Sequence, residues 1–343
     1  MRKATVRRKH VTIADVAKRA NVSASTVSRY INNEGMVKEA TKQSIIQAIT
    51  DLDYRPSSTS NFRVPFITKN VGVFVSDIIN PFVGELVECI EKNLMAKGYL
   101  MTLCTYNTDN KVLEMYLQEM VDRKIDGCII AFARVSDTNL NIYSLIKQLK
   151  VVSIQSDIDD VDLVDSTDEQ GTREIIEHLI ALGHRKIAFL GYTDPGSFAN
   201  RLKGYKDALA AHGIPYNDEF VRFGYPSSQF GYENTCMLID MKDRPTAIHC
   251  FNELTASGAY LAIRDKNLSI PHDISLTGFD GTLISRLCAP SLTTVSQPII
   301  SIATIATELL FKNISGSLSN GRQHITVPTR LVLGQSTSPP ASQ

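Results

Sequence analysis

Asp77, Asp157, Asn252 and Asp280 each follow a short apolar run: VGVFVS, VVSIQS, AIHCF and SLTGF respectively. A single Asp or Asn in such a place is an ordinary turn or helix cap, because its side chain bonds to nearby backbone. Four polar residues placed alike in four runs describe a site, since these side chains form directed hydrogen bonds with a ligand. Asp157 and Asp280 also admit a second reading, as a carboxylate pair for acid and base work. The rest of the sequence does not complete a catalytic centre. It has no G-x-S-x-G elbow, no phosphate-binding P-loop, no G-x-G-x-x-G after the first strand and no histidine cluster with metal-ligand spacing. The seven histidines are dispersed, and the Asp-Pro-Gly-Ser stretch at 194–197 reads as a turn. Binding is therefore the expected chemistry, with no catalytic residue, cofactor or metal.

A strand-end site needs strands. After Asn70, apolar runs at 71–75, 100–106, 128–132, 151–155, 187–192, 247–252 and 275–280 alternate with amphipathic stretches. In one of these, Phe82 to Lys97, the residues Phe82, Leu86, Ile90 and Leu94 share a helical face. Lys97-Gly98, Leu182-Gly183 and His212-Gly213 read as glycine-capped helix ends. Alternating strands and helices imply parallel sheets covered on both faces, with ligands beyond the carboxyl ends of the strands. So many units predict two doubly wound lobes, an α/β body.

A second constellation lies near the N-terminus. Thr12 followed by Asp15 is a helix start, after which Ile13, Val16, Ala17 and Ala20 share a face. Asn21-Val22-Ser23 is a polar turn, and a helix from about Ala24 to Asn32 turns Val27 and Ile31 inward. A third helix, about Lys38 to Asp53, offers Ile45, Ala48, Ile49 and Leu52 to a small shared core. This is a helix-turn-helix, whose second helix enters the DNA major groove. Its outward residues are Ala24, Ser25, Ser28 and Arg29. Arg29 can fork onto guanine, Ala24 can touch a thymine methyl, and Ser23, Thr26 and Asn32 can hold phosphates.

Charge agrees with that division. Residues 1–63 carry twelve Lys and Arg against five Asp and Glu, and because the whole chain has 36 of each, the remainder is acidic by the same margin. A basic head on an acidic body suits a polyanion partner for the head alone. No apolar run is long enough to span a membrane, and MRKATVRRKH leads into polar sequence, so a cytoplasmic location is expected. The six scattered cysteines, without CxxC spacing, are expected to be reduced core thiols.

VTIADVAKRANVSASTVSRYIN, followed by VKEAT and LDYRPS, resembles the head of the lactose/galactose repressor family, with its pattern T-I-x-D-V-A-x-x-A-x-V-S-x-x-T-V-S-R-x-x-N and then Y-x-P-N. The resemblance continues at the same spacing to about Gly334. It implies a helix-turn-helix head (1–56), a hinge (57–69) and a two-lobed body like a periplasmic binding protein (70–335). The first lobe would take 70–156 and 288–323, the second 157–287 and 324–335, with a disordered tail at 336–343. It further implies operator contacts from Thr12 and Tyr54 besides those already named.

In the body, NVGVFVSDIINPF resembles the family's first-lobe opening and implies ligand contacts from Asp77 and Phe82. SFANRLKGYKDAL implies that Arg201 reaches the effector, FNE gives Asn252, and GFDG gives Asp280. PSLTTVSQP returns the chain to the first lobe and adds Gln297, while Tyr225 is a candidate for an aromatic wall. With Asp157 at its strand end, this complement suits sugar hydroxyls, so a sugar, sugar phosphate or sugar acid is the expected effector, with purines and nucleosides as the alternative class. The expected partners are a near-palindromic operator and a second copy of the chain. A dimer is the expected limit, because QSTSPPASQ has no heptad repeat. A solute-binding protein of the transport type shares the two-lobed body, but the basic head argues against that role.

The hinge departs from the family pattern. Arg63 replaces the leucine that wedges into the minor groove, Phe62 precedes it and Pro65 would end a hinge helix early. Either Arg63 reads a narrow groove or Phe62 becomes the wedge; a plain tether over 57–69 is the third reading. Arg63 is the favoured reader.

Overall fold

The computed structural model describes residues 11–32, 37–52, 54, 67–135, 138–156, 158–192, 199–317 and 321–341. The chain divides into two compact units, Met1–Ile67 and Thr68–Gln343.

In the first unit, Thr12 caps α1 (Ile13–Arg19): the Asp15 amide donates to its hydroxyl, and its own amide donates to the Asp15 carboxylate at 2.8 Å. Asn21 turns the chain in the left-handed region, with φ 54°. The Ser23 hydroxyl then accepts from the Thr26 amide at 3.1 Å and opens α2 (Ala24–Asn32). α3 (Glu39–Leu52) completes a core of Val16, Val27, Ile31, Ile45, Ala48 and Ile49. Leu52, expected inside, is only half-buried; the ring of Tyr54 closes the core beside it.

Among the described residues, the second unit holds two sheets of six strands each. The first is built from β1 (Asn70–Val75), α4 (Pro81–Ala96), β2 (Leu100–Thr105), α5 (Asn110–Asp122), β3 (Gly127–Ala131), α6 (Leu140–Ile146), β4 (Val151–Ile154) and β5 (Asp162–Ser166). The second is built from α7 (Asp168–Ala181), β6 (Ile187–Tyr192), α8 (Ala199–Ala211), β7 (Val221–Gly224), α9 (Ser228–Ile239), β8 (Ala247–Cys250), α10 (Glu253–Asp265), β9 (Ser275–Asp280), α11 (Leu283–Leu287) and β10 (Thr293–Ser296). The chain then returns through α12 (Ile299–Ser315) and β11 (His324–Val327) to the first sheet and ends with β12 (Arg330–Val332) in the second. Strand orders are β11-β5-β4-β3-β1-β2 and β12-β10-β9-β8-β6-β7, parallel throughout except for β12 against β10. Apolar cores lie on both faces of each sheet, as two doubly wound lobes require.

Three of the expected boundaries are corrected. β5 and β11 pair with each other in the first lobe, whereas β10 pairs with β9 in the second, Thr293 opposite Thr277. The chain therefore changes lobe near 167, 298 and 328. These strands are short and half polar (DLVDS, TTVS, HITV), so a search for apolar runs passes over them. The tail is a further correction. Ser336 is buried, its hydroxyl accepting from the Thr293 amide at 2.8 Å, and the Ser338 carbonyl accepts from His184 Nε2 at 2.9 Å. Backbone polar groups along β9 and β10 thus find partners in residues 336–338; residues 342–343 lie outside the described ones.

All six cysteines are free thiols; Cys104, Cys128 and Cys250 are buried, whereas Cys89, Cys236 and Cys288, also expected in the core, are half-buried. Among the described residues no cluster of metal-ligating side chains occurs, and no helix is long and apolar enough to cross a membrane.

Candidate ligand cleft and nucleic-acid interface

On the first unit, Thr12, Ser23, Ala24, Ser25 and Arg29 are exposed, and Thr26 and Ser28 are half-buried. Ser23 Oγ lies 2.8 Å from Ser25 Oγ and 2.7 Å from Thr26 Oγ1, a knot of hydroxyls at the start of α2. Helix periodicity sets this surface: Val27 and Ile31 bury one face, so Ala24, Ser25 and Arg29 emerge on the other. Amide groups at a helix start and an arginine one turn later suit phosphate and base contacts. Tyr54 is a correction. Its ring is 6 % exposed and belongs to the apolar core, and burial raises its hydroxyl above the usual tyrosine range. Phe62, Arg63 and the side chain of Asn32 lie outside the described residues.

In the second unit, a cleft with about 790 Å³ of empty space, including its open mouth, lies between the lobes at the strand ends. Asp77, Phe82, Arg201, Tyr225, Asn252, Asp280 and Gln297 all line it. Asp157, the eighth residue expected there, is outside the described residues.

Each lobe contributes a different chemistry. The first lobe gives an apolar wall: Phe82, in the first turn of α4, is buried with its ring 6.0 Å from that of Phe132. Beside that wall, Asp77 Oδ1 accepts from the amides of Ile79 (2.8 Å) and Asn80 (3.1 Å), fixing the turn into α4. Its other oxygen crosses the cleft and accepts from Tyr225 Oη at 2.7 Å. Burial, and then that bond, push the Tyr225 hydroxyl well above its ordinary range. Tyr192 stands edge-on to Tyr225 at 6.0 Å and tilted to Phe251 at 5.8 Å.

The second lobe gives a charged anchor. Gly204 brings α8 against the first turn of α7, where a Cβ would fall 2.2 Å from the Glu169 carbonyl oxygen. That close approach sets Arg201, one turn earlier, on Asp168: Nε donates to Oδ2 at 2.8 Å. One guanidinium nitrogen donates to the Phe251 carbonyl, and the other lies 3.6 Å from Asp280 Oδ1. The rings of Phe279 and Phe251 stand 3.7 Å and 4.4 Å from the guanidinium carbon.

Asp280 occupies a strained backbone conformation, φ 110°, which costs on the order of 1–3 kcal/mol and persists only where neighbours hold it. Glu253, buried behind it, supplies the hold. Its carboxylate accepts from the amides of Gly281 (2.8 Å) and Thr282 (2.7 Å) and from the hydroxyls of Thr282 and Thr294. Burial raises the Glu253 carboxyl while those bonds oppose the rise. Burial likewise pushes the Asp280 carboxyl up to about 7; Arg201 and the Gln297 bond work against the shift, and Glu253 and Asp168 add to it.

Gln297 joins the lobes, its amide nitrogen donating to Asp280 at 2.8 Å and its oxygen accepting from Gln155 at 2.7 Å. Asn252 realises the simpler reading in part, since its side-chain oxygen accepts from the Thr255 amide at 2.8 Å as the cap of α10. Its amide hydrogens remain for a ligand.

Phe132, Gln155, Tyr192 and Phe251 also line the cleft and were not singled out in the sequence. Phe132, Gln155 and Tyr192 end apolar runs already recognised and Phe251 stands one residue before the end of another, so the strand-end rule applied to every run would have found them. Asp168 follows β5, a strand too polar to notice, and left no such signal.

Two comparisons of sequence bear on this arrangement. The pattern described as "Bacterial regulatory proteins, lacI family" matches residues 12–57, and that described as "Periplasmic binding protein-like domain" matches residues 176–337. The chain is 33% identical over 333 residues to the HTH-type transcriptional regulator DegA of Bacillus subtilis (strain 168), covering 96% of this chain and 98% of that protein. Among solved structures, a ribose-bound LacI family transcriptional regulator from Enterococcus faecium is 31% identical, with TM-score 0.72, over 79% of this chain and 99% of that one. The lac repressor dimer bound to operator is 25% identical, with TM-score 0.72, over 96% of this chain and 100% of that one.

Proposed function

The chain belongs to the LacI family of bacterial regulatory proteins, and from that premise we propose that it is a repressor that grips a near-palindromic operator as a homodimer under the control of a sugar or sugar derivative. The observation that carries the effector reading is the convergence of seven sequence-selected side chains on one cleft between two lobes. Aromatic faces pack on the apolar face of a pyranose or furanose ring, and amide and carboxylate groups take up its hydroxyls. The ribose in the Enterococcus faecium relative supports a sugar, and the dimer on operator in the lac repressor supports the assembly.

Arg29 would read a base edge from α2, with Ala24 and Ser25 beside it and Ser23, Thr26 and Thr12 at phosphates. Asp280, Arg201, Gln297 and Asn252 would hold the effector from the second lobe, while Phe82 and Asp77 close on it from the first. Control requires the effector to bind the two states of the protein unequally; tight binding without preference regulates nothing. Arg63 would enter the minor groove without a wedge, leaving the operator bent less than an inserted leucine would. A gel shift on DNA upstream of the gene, with and without a panel of sugars, tests the reading. A retarded band that one sugar strengthens or abolishes is expected; hydrolysis or phosphate release from any panel member, without DNA binding, would replace the regulator with an enzyme.

A further inference from the structure

Arg201 is the one basic side chain among the described residues that line the cleft, and its charge is already balanced. Its side chain is 2% exposed, that of Asp168 6% and that of Asp280 3%. One carboxylate accepts from Nε, the other faces a terminal nitrogen, the Phe251 carbonyl takes the third direction, and two rings flank the plane. What remains to Arg201 is a hydrogen bond to an uncharged acceptor. Among the described residues the other charge on the lining is negative, Asp77; behind the lining, Glu253 lies behind Asp280, and the Arg134 guanidinium lies behind Gln155, turned to the backbone carbonyls of Ala133 and Gln155. The remaining polar lining is neutral, including Gln155, Gln297, Asn252, Ser76 and Thr108.

A phosphate or carboxylate entering this cleft would lose its water among carboxylates and meet no unbalanced cation, which is the costly way to bury an anion. A hydroxyl loses little and finds amides that both donate and accept. We propose that the cleft takes uncharged ligands only, so that the effector is an unphosphorylated, non-acidic sugar and both sugar phosphates and sugar acids are excluded. This rests on the cleft being the effector site.

The test is calorimetry on the full chain at pH 7.5 with matched pairs: ribose and ribose 5-phosphate, glucose and glucose 6-phosphate, glucose and glucuronate. Hypoxanthine serves as an uncharged ligand that is not a sugar, and inorganic phosphate at constant ionic strength serves as a bare anion. A sugar that binds should lose about a hundredfold in affinity when phosphorylated or oxidised to its acid, and phosphate should leave the melting temperature unchanged. Asp280→Asn, which removes one balancing carboxylate while keeping the shape, should narrow the gap within a pair by about tenfold; its own melting curve shows that it folds. An anionic member binding as tightly as its neutral parent, phosphate stabilisation that Arg201→Lys abolishes, or an unchanged gap in Asp280→Asn would each overturn the proposal. Hypoxanthine binding where no sugar binds would leave the charge rule standing and remove the sugar reading instead.

Discussion

The head and the cleft keep their candidate functional side chains in opposite ways. On α2, Ala24, Ser25 and Arg29 stand in solvent on the far side of a small core, and none of them holds that core together. In the cleft, Arg201, Asp168, Asp280 and Gln297 are buried and bonded to one another. A surface that must meet a long polyanion can be separate from what folds it. A pocket that must recognise hydroxyls away from water cannot, because every buried polar group there needs a partner whether or not a ligand is present. Variants in the head should therefore lose function without stability, and variants of the buried residues of the cleft should lose both.

The largest effect is expected for Arg201→Ala. It leaves Asp168 and Asp280 buried without their cation, a loss of roughly 3–5 kcal/mol, read by urea unfolding, and no effector heat should remain in calorimetry. Parent-like stability would break the comparison on the cleft side. Next, Arg29→Ala should weaken operator binding by roughly 1–3 kcal/mol and relax one base position, with unfolding within about 0.5 kcal/mol of the parent. Operator affinity equal to the parent's would remove α2 as the reading helix.

The comparison sharpens with pH. Folding raises the Asp280 carboxyl from its ordinary 3.8 to about 7, chiefly by burial. Between those values the folded chain keeps a proton that the unfolded chain has released, so this group's contribution to stability falls as pH rises and is lowest above 7. Arg201, Asp168, Glu253 and Gln297 are the groups that face it. Relative to Asp280→Asn, the parent should lose on the order of 1 kcal/mol per pH unit between pH 5 and 7, seen as converging or crossing unfolding midpoints. A constant difference would mean that Asp280 stays ionised throughout. The smallest effect belongs to Tyr225→Phe, which deletes the bond across the cleft to Asp77. Effector affinity should fall by about 0.5–1.5 kcal/mol with unfolding nearly unchanged, because Tyr225 is half exposed; a large loss of stability would place it with the buried anchor instead.

The same contrast explains what could be read in the sequence. The head was legible almost residue by residue, since a 3.6-residue period separates the inward Val27 and Ile31 from the outward Ser25 and Arg29 without any tertiary knowledge. Tyr54 escaped because a position in a motif does not say which way a ring turns. In the body, strand ends located Asp77, Asn252 and Asp280, and the family resemblance added Arg201 and Gln297. The order of the strands was not legible where β5, β10 and β11 alternate too weakly to announce themselves, and with β5 went Asp168. Nor could spacing show that Arg201 is balanced by two carboxylates, because the residues meet only through the packing of α8 on α7.

Regulation by an effector requires the cleft and the head to be coupled. Fluorescence anisotropy of a labelled operator fragment, titrated with the full chain in the absence and in the saturating presence of the sugar that calorimetry identifies, measures that coupling directly. The operator dissociation constant should change by roughly 5- to 150-fold, in the same direction at every DNA concentration, and Asp280→Asn should bind the operator while responding to the sugar less. A sugar that fills the cleft with measurable heat yet leaves operator affinity where it was would contradict the account.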